Sequence, residues 1–304
     1  MNIAVTGANG FLGSNICELL SRKHKVLAIS RSNDKLYEFD NLSFLQCDFV
    51  NIVEQKKIIK KFKPDILIHC AWLGGNSFLD LNSFIQHESV NRSFDILKLF
   101  SECGISKFIG FGSGAEYGYH TAKVTENDVY NPYSLYGHSK HYFKMLAEKY
   151  CEQENIEFSW VIPMYTYGYN DVLTRFIPTV INKCLSNDDL VLNSCKSFTD
   201  YLFVEDFAEG LQSIIDFQLN GTYNISSGVT YNTKQIVEKI AELTHYQKEV
   251  VYDSNKDRAN FQDYFCGSSY KLQIFSDWKP KTSMELGLLK TINWIKGINC
   301  TTKI

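Results

Sequence analysis

A β-branched run, Ile3-Ala-Val-Thr6, passes directly into Gly7-Ala-Asn-Gly10-Phe-Leu-Gly13 and then into the amphipathic stretch Asn15–Arg22. Glycines repeated at this spacing between a strand and a helix leave few folds open. Gly7 permits a tight turn, Gly10 lets the backbone come close to a ligand, and Gly13 lets the helix lie against the strand. The start of that helix presents unpaired N–H groups and the positive end of its dipole, which suits a phosphate. The spacing is GxxGxxG, at the first strand-to-helix turn, and it points to a dinucleotide pyrophosphate. Asn9, Phe11 and Leu12 sit in the same turn and join Gly7, Gly10 and Gly13 as candidate cofactor residues.

The rest of the first half repeats the strand–helix alternation. Candidate strands are Val26–Ser30, Phe44–Gln46, Ile66–Cys70, Phe108–Phe111 and Phe158–Ile162. Candidate helices are Val53–Phe62, Ser89–Cys103 and Tyr136–Asn155. Strands alternating with helices of this length predict βαβ units, and strands apolar throughout predict a parallel sheet covered on both faces. The expected fold is therefore α/β: a Rossmann-type doubly wound parallel sheet with a smaller α+β C-terminal substrate lobe. Residues 1–165, with 197–225, are assigned to the sheet domain. The lobe takes 166–304, chiefly 166–196 and 226–304, with helices expected at Thr233–Leu243 and Met284–Ile295.

Composition narrows the function. A net charge of −3 provides no basic field for a nucleic-acid backbone. Neither a leader-like start nor an apolar run long enough for a bilayer is visible, so a cytoplasmic protein is expected. The nine cysteines are scattered without a CxxC pair, the pattern of reduced, buried thiols. His138 and His141 lack spaced partners, and no metal site is expected.

The second strand ends Ser30-Arg31-Ser32, where an acidic residue would bind the adenosine 2′-hydroxyl of NAD. Two hydroxyls and a guanidinium can instead hold a 2′-phosphate, which favours NADP(H) with NAD(H) as the alternative. Farther on, Tyr136-Gly-His-Ser-Lys140 opens a predicted helix. Residues i and i+4 share a face, so the phenol and the ammonium can meet one ligand, and the cation favours the phenolate. A Tyr so activated can exchange a proton while a hydride moves. Ser113 ends the strand Phe108–Phe111 at the edge where open α/β sheets bind ligands, and its hydroxyl can meet a substrate oxygen.

These motifs, together with Asp48-Phe49, Ile68-His-Cys-Ala71, Tyr117-Gly118, Asp200-Tyr-Leu-Phe-Val-Glu-Asp206, Tyr223-Asn-Ile-Ser226 and Trp278-Lys-Pro280, resemble the extended short-chain dehydrogenases/reductases from residue 1 to about 296. The resemblance implies an NAD(P)-dependent enzyme acting on a nucleoside-diphosphate sugar, with Ser113, Tyr136 and Lys140 catalytic. It implies that Lys140 also holds the nicotinamide ribose, that Asp48 and Phe49 lie near the adenine, and that Ala71 and Pro163 line the cofactor path. Asn91 matches a family Asn. A homodimer through the Tyr136–Lys140 helix and its neighbour is also implied.

Departures from the family narrow the reaction. The dehydratases resemble Thr-Asp-Glu at the catalytic turn, whereas this chain has Ser113-Gly114-Ala115 with Glu116 out of register. The GDP-fucose synthases place a Cys base where Ala115 stands. Chemistry at C4 is favoured: NADPH-dependent reduction of a nucleoside-diphosphate 4-keto-(6-deoxy) sugar first, 4-epimerisation with tightly bound NAD as the alternative, and a 4,6-dehydratase or a non-catalytic cofactor-sensing module behind both. One phosphate-binding Arg of the family is missing, because Thr199-Asp200-Tyr201 and Ile162-Pro163 replace Arg-Asp-Tyr and Arg-Pro. Arg258, and secondarily Arg175, are left as candidates for the sugar diphosphate.

Overall fold

The computed structural model describes residues 1–34, 39–74, 81–257 and 262–301. Its main layer is a seven-stranded, all-parallel sheet. The strands are β1 (Asn2–Thr6), β2 (Lys25–Ser30), β3 (Leu42–Gln46), β4 (Ile66–His69), β5 (Lys107–Phe111), β6 (Glu157–Pro163) and, much later in the chain, β10 (Gly221–Ile225). They lie in the order β3-β2-β1-β4-β5-β6-β10, so the direction of winding reverses between β1 and β4. That reversal opens a crevice at the carboxyl ends of the strands, where ligands bind in such sheets.

Helices α1 (Phe11–Ser21), α2 (Lys56–Phe62), α3 (Ile85–Glu102) and α4 (Leu135–Gln153) are the crossovers. One face of the sheet packs Ile96, Phe100 and Phe143 of α3 and α4 against Phe108, Phe158 and Trp160. The other packs Ile16 and Leu20 of α1 with Phe207, Leu211 and Ile214 of α6 (Val204–Asp216) against Val5, Val26 and Ile109. Coverage on both sides explains why the strands read as unbroken apolar runs. The predicted helix Val53–Phe62 divides into a 3-10 turn, Phe49–Gln55, capped by the Asp48 carboxylate, followed by α2.

The chain after β6 builds a second core around Tyr167, Val180, Ile181, Ile236, Ile240, Leu288 and Ile292. Its elements are β7 (Tyr165–Tyr167), α5 (Phe176–Leu185), β8 (Leu190–Leu192), β9 (Phe198–Phe203), β11 (Thr230–Asn232), α7 (Thr233–Thr244), β12 (Val250–Tyr252), β13 (Tyr264–Phe265), α8 (Tyr270–Ser276) and α9 (Met284–Thr301). Strand β9 pairs with β7, β11 and β13, while β8 pairs with β12. Asp200 on β9, fully buried, accepts hydrogen bonds from the backbone of Ser227 and Gly228, both at 2.9 Å, and from the Ser227 hydroxyl. It therefore ties the loop after β10 to the smaller sheet. The cysteines from Cys17 to Cys266 are all free, and no described helix is long and apolar enough to cross a membrane.

Candidate active site

The glycine turn has the predicted build. Gly7 adopts φ +69°, and a Cβ there would stand 2.7 Å from the Ala71 nitrogen at the end of β4. A Cβ on Gly13 would stand 2.2 Å from the Gly7 carbonyl, so only glycine lets α1 begin so close under the turn. Gly10 is the N-cap of α1 and offers no side-chain cap. The first-turn N–H groups are thus left for a ligand, which fits the pyrophosphate of a nicotinamide dinucleotide. Phe11 is buried beside them, with the Arg175 guanidinium 5.6 Å over its ring.

At the end of β2 the groups pair among themselves. The Asn9 amide donates to the Ser32 hydroxyl at 2.9 Å and to the Asp34 carboxylate at 2.8 Å. The Ser30 hydroxyl donates to the Ser32 carbonyl, and the Arg31 side chain is exposed. A carboxylate that the sequence placed outside the motif is thus held against the glycine turn. Across the crevice Phe49 stacks on His69, centroids 5.9 Å apart. His69 is buried and held neutral, its pKa pushed down to about 3 by desolvation and then by Lys140.

The proposed catalytic groups converge at the end of β5 and the start of α4. Ser113 caps the turn Gly114–Glu116, accepting the Ala115 N–H at 3.2 Å. Ser134 caps α4 and accepts the Gly137 N–H at 3.2 Å, which fixes where the helix carrying Tyr136 and Lys140 begins. The Tyr136 phenol stands close enough to the Ser113 side chain for that hydroxyl to favour its ionised form. Burial raises its pKa, the Ser113 hydroxyl lowers it, Glu116 raises it, and Arg175 lowers it.

Lys140 is buried. Its ammonium donates to the Phe111 carbonyl at 2.8 Å and lies 3.8 Å over the Trp72 ring. Desolvation brings its pKa down to about 7, against the opposing influence of Glu116 and then Cys70. Trp72 is itself fixed by a 2.8 Å hydrogen bond from its indole to Gln86 and meets Tyr136 edge-on at 6.4 Å. Sequence reasoning missed this floor beneath the Tyr–Lys pair. The only local signal was an aromatic residue directly after Ala71.

Other expectations fare differently. Asn91 is exposed and turned to His87, because α3 faces the site with Ser89, whose hydroxyl bonds the backbone of Leu73. Asp48 caps the turn after β3 through the Val50 N–H. Pro163 ends β6, opposite Ile225 of β10. Arg175 pairs with Asp171 at 3.4 Å and, from its place over Phe11, acts on Tyr136. Arg258 lies outside the described residues. No group of side chains able to hold a metal occurs among the described residues.

The NAD dependent epimerase/dehydratase family matches residues 3–226. The chain belongs to this family. Within it, the chain is 27% identical over 254 residues, 80% of its length and 90% of the relative's, to a dTDP-6-deoxy-L-talose 4-dehydrogenase (NAD(+)) of Aggregatibacter actinomycetemcomitans. It is 24% identical, over 82% of each chain, to a GDP-6-deoxy-D-talose 4-dehydrogenase of the same organism. Its fold superposes on a UDP-glucose 4-epimerase from Thermotoga maritima, determined with UDP-glucose, with a TM-score of 0.89 and 21% identity, covering 98% of this chain and 100% of the other. Like other members of the NAD dependent epimerase/dehydratase family, the chain is an oxidoreductase-type enzyme for nucleotide sugars.

Proposed function

We propose that the chain moves a hydride between C4 of a nucleoside-diphosphate hexose and NAD(H), with Tyr136 carrying the proton of the C4 hydroxyl. The observation that carries this is the convergence of the Ser113 hydroxyl, the Tyr136 phenol and the anchored Lys140 ammonium beside a turn whose acid, Glu116, is buried with its carboxylate turned to the Ser113 N–H and the Trp160 indole. Gly114 and Ala115 occupy the places where proton removal at C3 or C5 would need a carboxylate or thiolate. When bound, the nicotinamide accepts or returns the hydride. The Ser113 hydroxyl donates to the C4 oxygen. Tyr136 takes the hydroxyl proton in oxidation and gives it back in reduction, and Lys140 favours the phenolate that forms. Arg175 and, from outside the described residues, Arg258 are assigned to the sugar diphosphate.

NAD(H) is preferred here over the NADP(H) expected from Ser30-Arg31-Ser32. Asn9 holds the Asp34 carboxylate beside the glycine turn, where it can accept an adenosine ribose hydroxyl and would repel a 2′-phosphate. The names of the two 4-dehydrogenase relatives and of the structural neighbour share C4 as the reacting position. They divide on the fate of the oxidised sugar: release as the keto form, or return of the hydride to its other face. An NADPH-driven 4-ketoreductase is the net-redox branch of the same chemistry with the other cofactor.

Incubation with NAD⁺ and UDP-, dTDP- and GDP-linked hexoses and 6-deoxyhexoses tests both branches. Accumulating NADH with a 4-keto sugar identifies a dehydrogenase. C4 inversion without net absorbance change identifies an epimerase. Solvent deuterium at C3 or C5, or no C4 chemistry with any of these sugars, overturns the proposal.

A further inference from the structure

Behind the catalytic turn lies an acidic group that the C4 chemistry does not use. Glu116 is fully buried. One carboxylate oxygen accepts the Ser113 N–H at 2.8 Å and the Trp160 indole N–H at 3.2 Å. Two glycines clear this space, since a Cβ on Gly112 would stand 2.3 Å from that oxygen and one on Gly110 would stand 2.5 Å from the Trp160 ring. The other oxygen, also buried, has no hydrogen-bond partner among the described residues. Nδ1 of His141 lies 3.6 Å from it, likewise buried and without a hydrogen-bond partner. His141 follows Lys140 on α4 and is held by stacking on Tyr130 at 4.6 Å. Tyr130 in turn stacks on Tyr117 and accepts from Lys144.

We propose that Glu116 is a positioning residue for the catalytic turn: one oxygen clamps the Ser113 backbone, the other faces His141, and the buried charge sets the proton balance of Tyr136 and Lys140. A carboxylate sealed from water is costly without compensating donors and cations. Two N–H donors hold one oxygen and the His141 ring faces the other, which argues for more than filling space. The groups that face the Tyr–Lys couple are few. Glu116 approaches from the turn, Cys70 and His69 from the end of β4, and Arg175 from the start of α5. Of these, Glu116 brings a negative charge without a salt bridge to either arginine or lysine among the described residues.

Because a nearby negative charge holds protons on both groups, its removal shifts both in one direction. Glu116→Gln keeps the shape and the Ser113 clamp while deleting the charge. The whole pH profile of kcat, and the pH dependence of NADH affinity, are expected to slide towards acid by about half a unit or more. A merely structural role would lower kcat without moving either curve. His141→Gln, which keeps a donor, should hold kcat within about threefold. His141→Leu, which has none, should lower kcat by about tenfold at unchanged KM. Superimposable pH curves for Glu116→Gln, or wild-type kcat for His141→Leu, would overturn the inference. It rests on the proposed roles of Tyr136 and Lys140, but the NADH titration needs no sugar. Failure to turn over any nucleotide sugar would therefore remove the functional proposal and leave this one to be decided by cofactor binding; if Glu116→Gln does not fold, the His141 pair decides it.

Discussion

Tyr136 and Lys140 belong to one turn of helix but make separable demands. Removing only the phenolic hydroxyl, as in Tyr136→Phe, should reduce turnover ~10²-fold or more, the scale of a positioned acid–base group, and leave NADH affinity nearly unchanged in a fluorescence titration. Lys140 carries a stability cost as well as a role. Its pKa falls from the ordinary 10.5 to about 7 on burial, so between those pH values the unfolded chain binds a proton that the folded chain has released. Its contribution therefore rises with pH across that window, and the full penalty applies below pH 7. Lys140→Met should unfold at a higher temperature than wild type at pH 7. The difference between them should narrow by about 1–2 kcal/mol by pH 9, as read from urea unfolding of the cofactor-free proteins at both pH values. The proposed cofactor choice rests on one side chain. Asp34→Ser should raise NADPH affinity relative to NADH by about tenfold or more, the scale of a charge-assisted contact, and an unchanged ratio would leave Asp34 without the part given to it.

Elements place these groups, and the tightest junction is that of α1 on the glycine turn. With the Gly7 carbonyl 2.2 Å from where a Cβ on Gly13 would be, Gly13→Ala must push the helix outward. Its expected cost is about 1–3 kcal/mol of stability, with NADH affinity falling at least tenfold; calorimetry and titration on the same sample read both. How much could be read beforehand depended on the range of the determining contacts. Strands with local signatures were legible to within a residue or so: Ile3–Thr6 was expected where β1 spans Asn2–Thr6, and Phe158–Ile162 where β6 spans Glu157–Pro163. The glycine turn and the Tyr136–Lys140 spacing could be seen because each is a fixed local pattern. Trp72, Ser89, Asp34 and the buried face of Glu116 could not, since each acquires its place from residues distant in sequence. The strands of the smaller sheet are two to six residues long and pair across long separations, so no local periodicity announces them.

The molecule as a whole presents α4 with Tyr142 and Met145 about half exposed. Together with the dimer implied by the family resemblance, this leads to the expectation of a homodimer through α3 and α4. Light scattering on a sizing column should give twice the chain mass for wild type, and the chain mass for a Tyr142→Asp/Met145→Asp double variant. The order of the main sheet has a further consequence, seen from the ribosome. Strand β6 emerges early, but its neighbour β10 is made only after β7, α5, β8, β9 and α6. Throughout that interval a nascent chain carries an unpaired, strongly apolar edge, the kind of surface that recruits other strands. Synthesis halted just short of Gly221 should therefore release a sticky fragment, and a few codons more should be enough to close it.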